Sequence, residues 1–311
     1  MKKNRYCFRC LQEIQVLDEA HYGLHRSCFE VWFQNALEPF SNNLELPVFS
    51  SLMLKSTDNA SLSASMLTSN FQGRYKKYSA ILGTKHYILK VQEDDYPELP
   101  ATEYLCNQIA ELFGIPVPNY YFVQFGINEK NISSFVVENF MTALAGANLK
   151  HIYHYFGDLE DGLNCETIIK IIRNNSTEKN DIKTFIETCF FDSLIGNNDR
   201  HGRNLGFIET SKGKVLAPIY DNPSYVGIEE LFLEYDLEPN GKIATKKINN
   251  PSMKDYVNEF KRLGYQKNIL DFQKKVNLEK VFSLIQNSFI SLKRKDALKK
   301  LVVKRFKELT K

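Results

Sequence analysis

The chain has 311 residues, 43% hydrophobic and 25% charged, with a formal net charge of +3. That is ordinary globular composition, sized for one large or two medium domains, and its charge carries no nucleic-acid footprint. No apolar run approaches the ~20 residues that span a bilayer, and six cysteines are too sparse for a disulfide scaffold of this length.

In chain order, the start "MKKNRYCFRC" is basic but no apolar signal region follows it. A cytoplasmic protein is therefore expected, with export by a route that reads no N-terminal signal left open. Residues 1–40 read as a small separate Cys/His segment. Cys7-x2-Cys10 and His25-x2-Cys28 are two chelating pairs across a short loop, the spacing of a structural zinc site. A segment this small lacks a core of its own, so a metal could supply its stability. The alternative is unliganded buried thiols and a surface histidine. Residues 41–70 are rich in Ser, Asn and Thr and read as a loop, or a strand followed by a long loop. "KYSAIL" (77–82) and "HYILKV" (86–91) read as a hairpin around Gly83-Thr84-Lys85. "ATEYLCNQIAELFGIPVP" is a helix, with Gly114 as its left-handed cap and Pro116 as its stop. "YYFVQF" and "SSFVVENF" read as two more strands.

After about residue 145 the pattern turns helical. "DIKTFIETCFFDSLIG" (181–196) reads as a helix opened by a capping Asp181. "LGFIE" and "KVLAPIYD" read as short strands around Lys212-Gly213, with Asp221 at the end of the second. The C-terminal "SLKRKDALKKLVVKRFKELTK" reads as an amphipathic helix with a solvated lysine face, or else an interaction surface.

The polar stretch "GNNDRHGRNLGFIETSKGKVLAPIYDN" (196–222) is more than a fold needs. Phosphoryl transfer needs a carboxylate to orient the attacking hydroxyl and hard oxygen ligands for magnesium. Protein kinases meet both needs with Asp-x4-Asn on a loop and a second Asp after the next hairpin. Asp199, Asn204 and Asp221 stand in that order. The alternative is a polar loop capped by Asp and Asn.

"LIGNNDRHGRNLGFI" followed by "LAPIYD" resembles the HipA family of bacterial serine/threonine kinase toxins. The resemblance implies that Asp199 is the catalytic aspartate, that Asn204 and Asp221 hold Mg2+, and that His201 braces the loop. "HYILKV" resembles the family's strand that carries the nucleotide-phosphate lysine, here Lys90, and the next helix places Glu103 as its partner. Beside the resemblance, a lysine inside an apolar strand is costly to bury unless paired, and Glu103 can pair it. "FVVENF" resembles the hinge strand, so backbone groups at Glu138, Asn139 and Phe140 would hold adenine. The family's phosphate-loop motif is displaced here. Gly73 and Lys77 align with it, but Tyr75 stands at the expected Gln. The resemblance also implies autophosphorylation in the Ser-rich loop, at Ser61, Ser63, Ser65 or Ser69.

The expected fold is α+β and two-lobed, protein-kinase-like, with a strand-rich N-lobe (41–145) and a helical C-lobe (146–311) after the Cys/His segment. The expected activity is ATP- and Mg2+-dependent serine/threonine phosphorylation by a HipA-type toxin, inhibiting translation through an aminoacyl-tRNA synthetase. The short length resembles HipT, in which a separate small protein supplies an N-terminal subdomain. The implied partners are an antitoxin and that small protein, with DNA reached only through the antitoxin and no membrane. A small-molecule or lipid kinase, a host-directed effector kinase and a non-catalytic nucleotide-binding regulator are the alternatives.

Overall fold

The computed structural model describes residues 5–15, 21–34, 39–41, 77–127, 130–144, 146–156, 162–228, 230–234 and 238–311. Ser61, Ser63, Ser65, Ser69, Gly73 and Tyr75 lie outside them. The chain divides into two compact units, Met1–Tyr104 with Pro118–Ala145, and Leu105–Val117 with Gly146–Lys311. The first is rich in strands and the second in helices, the expected α+β arrangement.

In the first unit, β1 (Arg5–Tyr6) and β2 (Glu13–Ile14) form a small antiparallel hairpin, and α1 (Arg26–Phe33) follows. Strands β3 (Lys77–Leu82), β4 (Lys85–Val91), β5 (Tyr120–Ile127) and β6 (Lys130–Glu138) form an antiparallel sheet in the order β3-β4-β6-β5. Leu82 pairs with Lys85, so the expected β3–β4 turn is one residue shorter: Gly83 and Thr84, with Gly83 at φ +59. Helix α2 (Leu99–Leu112) is followed by Gly114 at φ +67, and Pro116 stands just beyond.

Alternation along the strands gives the sheet two faces. Tyr78, Ala80, Leu82, Tyr87, Leu89, Tyr121, Val123, Phe125 and Val136 share one core with Cys7, Leu24, Cys28, Phe29, Phe33 and Phe40. The N-terminal segment thus covers that face. It also bonds to one residue on each outer strand of the sheet. The Tyr22 carbonyl accepts from Gln124 N–H on β5 (2.9 Å), and Ser41 exchanges both backbone bonds with Ile81 on β3 (2.8 and 3.1 Å). Gly23 makes the close approach possible: it sits at φ +78, and a Cβ there would lie 2.3 Å from the Phe8 ring.

In the second unit, β7 (Asn148–His151), β8 (Gly206–Thr210) and β9 (Gly213–Leu216) form an antiparallel sheet. Helices α3 (Cys165–Asn175), α4 (Asp181–Ile195), α5 (Glu230–Glu234), α6 (Met253–Arg262), α7 (Gln266–Lys275), α8 (Leu278–Asn287) and α9 (Leu292–Leu309) complete it. Every residue of α4 from Phe185 to Ile195 is buried, the mark of a central helix. Phe190 packs on Phe260 of α6 and Phe272 of α7, with ring centroids 5.3 and 5.4 Å away. Asp181 does not cap this helix. Asn180 is the N-cap residue, and the Asp181 carboxylate instead accepts from Ser176 Oγ–H (2.5 Å) and Leu216 N–H (2.6 Å). That ties the start of α4 to the end of β9. Helix α9 buries Leu298, Leu301, Val302 and Leu309 and exposes Lys293, Lys300, Lys304 and Lys307, the expected solvated face. Among the described residues, no helix is long and apolar enough to cross a membrane.

Candidate active site

Lys90 on β4 is 5% exposed and Glu103 on α2 is 1% exposed. The Lys90 ammonium forms an ion pair with Glu103 Oε1. Register sets this up: Lys90 lies opposite Phe135 and Phe135 opposite Phe122, so the three share a sheet face. The Phe135 ring lies 5.9 Å from Lys90 Nζ. A charge this deep survives only when paired, so Lys90 and Glu103 hold each other in place. At the end of β6, Glu138 takes Lys85 Nζ (3.2 Å) and Asn119 Nδ2 (3.1 Å) on its carboxylate. The N–H groups of Glu138 and Asn139 donate to the carbonyls of Asn119 and His86, both at 2.8 Å.

In the second unit, α4 ends at Gly196, φ +71, where a Cβ would lie 2.6 Å from the Tyr225 ring. Only glycine turns the chain there, and the polar loop starts at that turn. Asn197 Nδ2 bonds Asp192 (2.9 Å), and Asn197 Oδ1 accepts Asp199 N–H (2.9 Å). Asn204 Nδ2 donates to the Asp199 carbonyl (2.8 Å). A carbonyl only accepts, so this bond fixes the amide and leaves Oδ1 as the end that can meet a cation. The Asp199 side chain is 53% exposed. His201 Nδ1 accepts Arg203 N–H (3.2 Å), which requires a neutral ring with its proton on Nε2. Burial pushes the His201 pKa down, against the opposing charges of Asp199 and Asp221.

Asp221 lies five residues beyond β9, not at its end, and takes φ +52. It stands close enough to Arg200, His151, His201 and Tyr220 for its charge to act on all four. An aspartate in a left-handed turn and an asparagine amide fixed for Oδ1 presentation are hard oxygen donors of the kind Mg2+ takes.

What anchors this region is Arg200, which sits inside the motif and is 1% exposed. Its guanidinium uses all five N–H donors: two on Asp192 (2.9 and 2.9 Å), one each on Asn222 Oδ1 (2.5 Å), the Tyr220 carbonyl (2.7 Å) and the Asn204 carbonyl (3.3 Å). Burial opposes its charge, but Asp192 outweighs burial and raises its pKa. One planar cation therefore holds the backbone at 204 and at 220 together. Tyr220 O–H donates to the Arg203 carbonyl (3.0 Å) and so must accept from His151 Nδ1–H (3.0 Å). His151 is buried, and its Nε2 has no partner among the described residues. Burial, then the nearby His154, bring its pKa down to about 4.

A second cluster lies in the first unit. The Cys7, Cys10, His25 and Cys28 ligand atoms all fall within 4.8 Å of one another. Cys10 Sγ lies 3.4 Å from His25 Nδ1, and His25 Nε2 lies 3.2 Å from the Glu13 carbonyl. Burial pushes the Cys7 thiol up, but the N–H groups of Cys10, His25 and Arg9 outweigh it and bring the pKa down to about 7.

Residues 69–275 match the HipA-like C-terminal domain. The chain belongs to that family. A candidate kinase of Haemophilus influenzae is 29% identical over 232 residues, spanning 64% of this chain and 67% of that protein. A candidate kinase of Sinorhizobium fredii is 24% identical over 148 residues, 43% of this chain and 36% of its own length. The fold is similar to the Helicobacter pylori proinflammatory kinase CtkA, at TM-score 0.60 and 19% identity, over 75% of this chain and 90% of that one. It is also similar to a chain of the Shewanella oneidensis MR-1 HipA, HipB and operator DNA complex, at TM-score 0.55 and 13% identity, over 91% of this chain and 77% of that one. These findings support a kinase function for this HipA-like chain and a kinase-like fold.

The structure brings Lys90 to Glu103, and Asn204 to Asp199, and gathers the four Cys/His ligands. Sequence reading missed Arg200, Asp192, Asn222, Tyr220 and His151. One signal was available: Asp192 interrupts the apolar run "CFFDSLI", and a carboxylate inside a buried helix demands a cation.

Proposed function

We propose that this HipA-like chain is an ATP- and Mg2+-dependent serine/threonine protein kinase acting as the toxin of a toxin–antitoxin pair. The observation that carries the reading is the loop in which Asn204 Nδ2 is tied to the Asp199 carbonyl while Arg200 holds the backbone of both 204 and 220. Asp199, largely exposed, orients the attacking hydroxyl and takes its proton. Asn204 Oδ1 and the Asp221 carboxylate would hold Mg2+, which neutralises charge on the phosphates. Lys90, kept in place by Glu103, binds phosphate oxygens, and adenine takes backbone groups at Glu138, Asn139 and Phe140 other than the Glu138 and Asn139 N–H donors, which are spent on Asn119 and His86. His201 braces the loop through its bond to Arg203 N–H.

By likeness to the family, the Ser-rich loop carries the autophosphorylation site, at Ser61, Ser63, Ser65 or Ser69. A phosphate there adds roughly −1.5 to −2 charge near pH 7 and would repel nucleotide. The protein target by the same likeness is an aminoacyl-tRNA synthetase. The Shewanella complex, which contains HipA, HipB and operator DNA, supports an antitoxin partner. A host-directed substrate is the second reading, favoured by the 90% coverage of a kinase described as proinflammatory.

The test is intact mass after incubation with ATP and Mg2+, wild type beside Asp199→Ala. Whole-phosphate gains are expected in the wild type only, mapping to 61–69 after digestion. With an exposed side chain at 199, the variant should melt within ~1 °C of the wild type. Equal phosphate gain in both proteins would sink Asp199 as the catalytic carboxylate.

A further inference from the structure

We propose that Cys7, Cys10, His25 and Cys28 bind one Zn2+, and that this ion is a structural part of the strand unit that holds the Lys90–Glu103 pair. The site lies outside residues 69–275, so the family match does not account for it. The geometry is that of a closed structural site. A tetrahedral zinc with three sulfur ligands and one nitrogen has edges of about 3.5–3.8 Å. The Cys10–His25 edge is 3.4 Å, and no pair in the set exceeds 4.8 Å. The contact of His25 Nε2 with the Glu13 carbonyl selects Nδ1 as the ligand atom, as an outer partner does at metal-bound histidines. His25 N–H points at Cys7 Sγ (3.5 Å), and Arg9 Nη1 lies 3.9 Å from Cys28 Sγ. Three thiolates around Zn2+ leave one net negative charge, which those donors offset.

Two runs of packed side chains lead from the ligands to the ion pair. Phe8, next to Cys7, meets Phe122 at 5.0 Å, and Phe122 lies opposite Phe135, whose ring faces Lys90. Cys28 lies in α1, whose Trp32 meets Tyr104 at 6.5 Å, one residue from Glu103. The hairpin and α1 are too short to hold these rings by backbone bonding alone: β1 and β2 have two residues each, and α1 has eight. A metal joining the hairpin to α1 supplies that constraint.

The claim that the ion supports a nucleotide site rests on the kinase reading; the claim about metal and strand order does not. The experiment uses the full chain. Zinc content is measured first, then the protein is stripped with a chelator and refilled with Co2+. Hydrogen exchange of 77–91 and 99–112 is followed in the zinc-loaded and stripped forms. Expected are one zinc per chain, thiolate-to-cobalt absorption bands lost in Cys10→Ser, and at least tenfold faster exchange around Lys90 and Glu103 without metal. Absence of both zinc and cobalt bands overturns the site. Metal bound with unchanged exchange overturns its structural role. Zinc-dependent protection in a chain that binds no ATP leaves this proposal standing and removes the kinase reading instead.

Discussion

Replacing Arg200 by Met removes all five guanidinium bonds and leaves the Asp192 carboxylate, 4% exposed, without its cation. Breaking a buried pair from one side costs about 3–5 kcal/mol, because the remaining charge stays desolvated. Loss of donors at the Asn204 and Tyr220 carbonyls adds roughly 1 kcal/mol each. For a unit of this size, 1 kcal/mol moves Tm by about 2–4 °C, so a fall of roughly 10–28 °C is expected. Calorimetry of Arg200→Met measures it. The double variant Arg200→Met/Asp192→Leu separates charge from packing: removing both ions should recover at least half of the lost stability. Activity should not return with it, because the backbone at 204 and 220 still lacks its common donor. Two results would refute the reasoning: Arg200→Met melting within ~2 °C of the wild type, or a double variant as unstable as the sum of its parts.

His151 gives a pH prediction. Its folded pKa of about 4 lies below the unfolded value near 6.5, so the unfolded chain takes up the proton first on acidification. Its contribution is complete above about pH 6.5 and is lost as pH falls towards 4, by roughly 3 kcal/mol in all. Urea unfolding across that range should show the slope, and His151→Gln should flatten it; an unchanged slope in the variant rules the histidine out. Lys90→Met should abolish phosphoryl transfer and destabilise the first unit by stranding Glu103. Lys90→Met/Glu103→Leu should regain stability without regaining transfer, measured by melting and by ATP consumption. Recovery of transfer in the double variant would make the pair structural only.

Much of this molecule is legible because several of its patterns are local. Lys90 stands out inside an apolar strand, Asp199 and Asn204 lie five positions apart, and the Cys/His pairs announce themselves by spacing. The bonds around Arg200 are not local. Its side-chain partners lie 8 and 22 residues away, and spacing carries no signal for a fork that also bonds backbone carbonyls 4 and 20 residues on. Asp181 misled for a related reason. An aspartate opening an apolar run looks like a cap, but its carboxylate is spent on Leu216, 35 residues on. Tyr220 and His151 look like core aromatics in sequence, and only the fold shows that one hydroxyl orients the other's ring.

The backbone bonds that the N-terminal chain makes to β3 and β5 have a consequence for solubility. Bare outer strands offer rows of unpaired N–H and C=O groups to any neighbouring chain. Tyr22 and Ser41, which bond to those two strands, both precede the family-matched residues 69–275. A version trimmed to the matched region would keep the motif loop yet expose both flanks of the sheet. Such a fragment should self-associate strand to strand, growing with concentration, where the full chain stays dispersed.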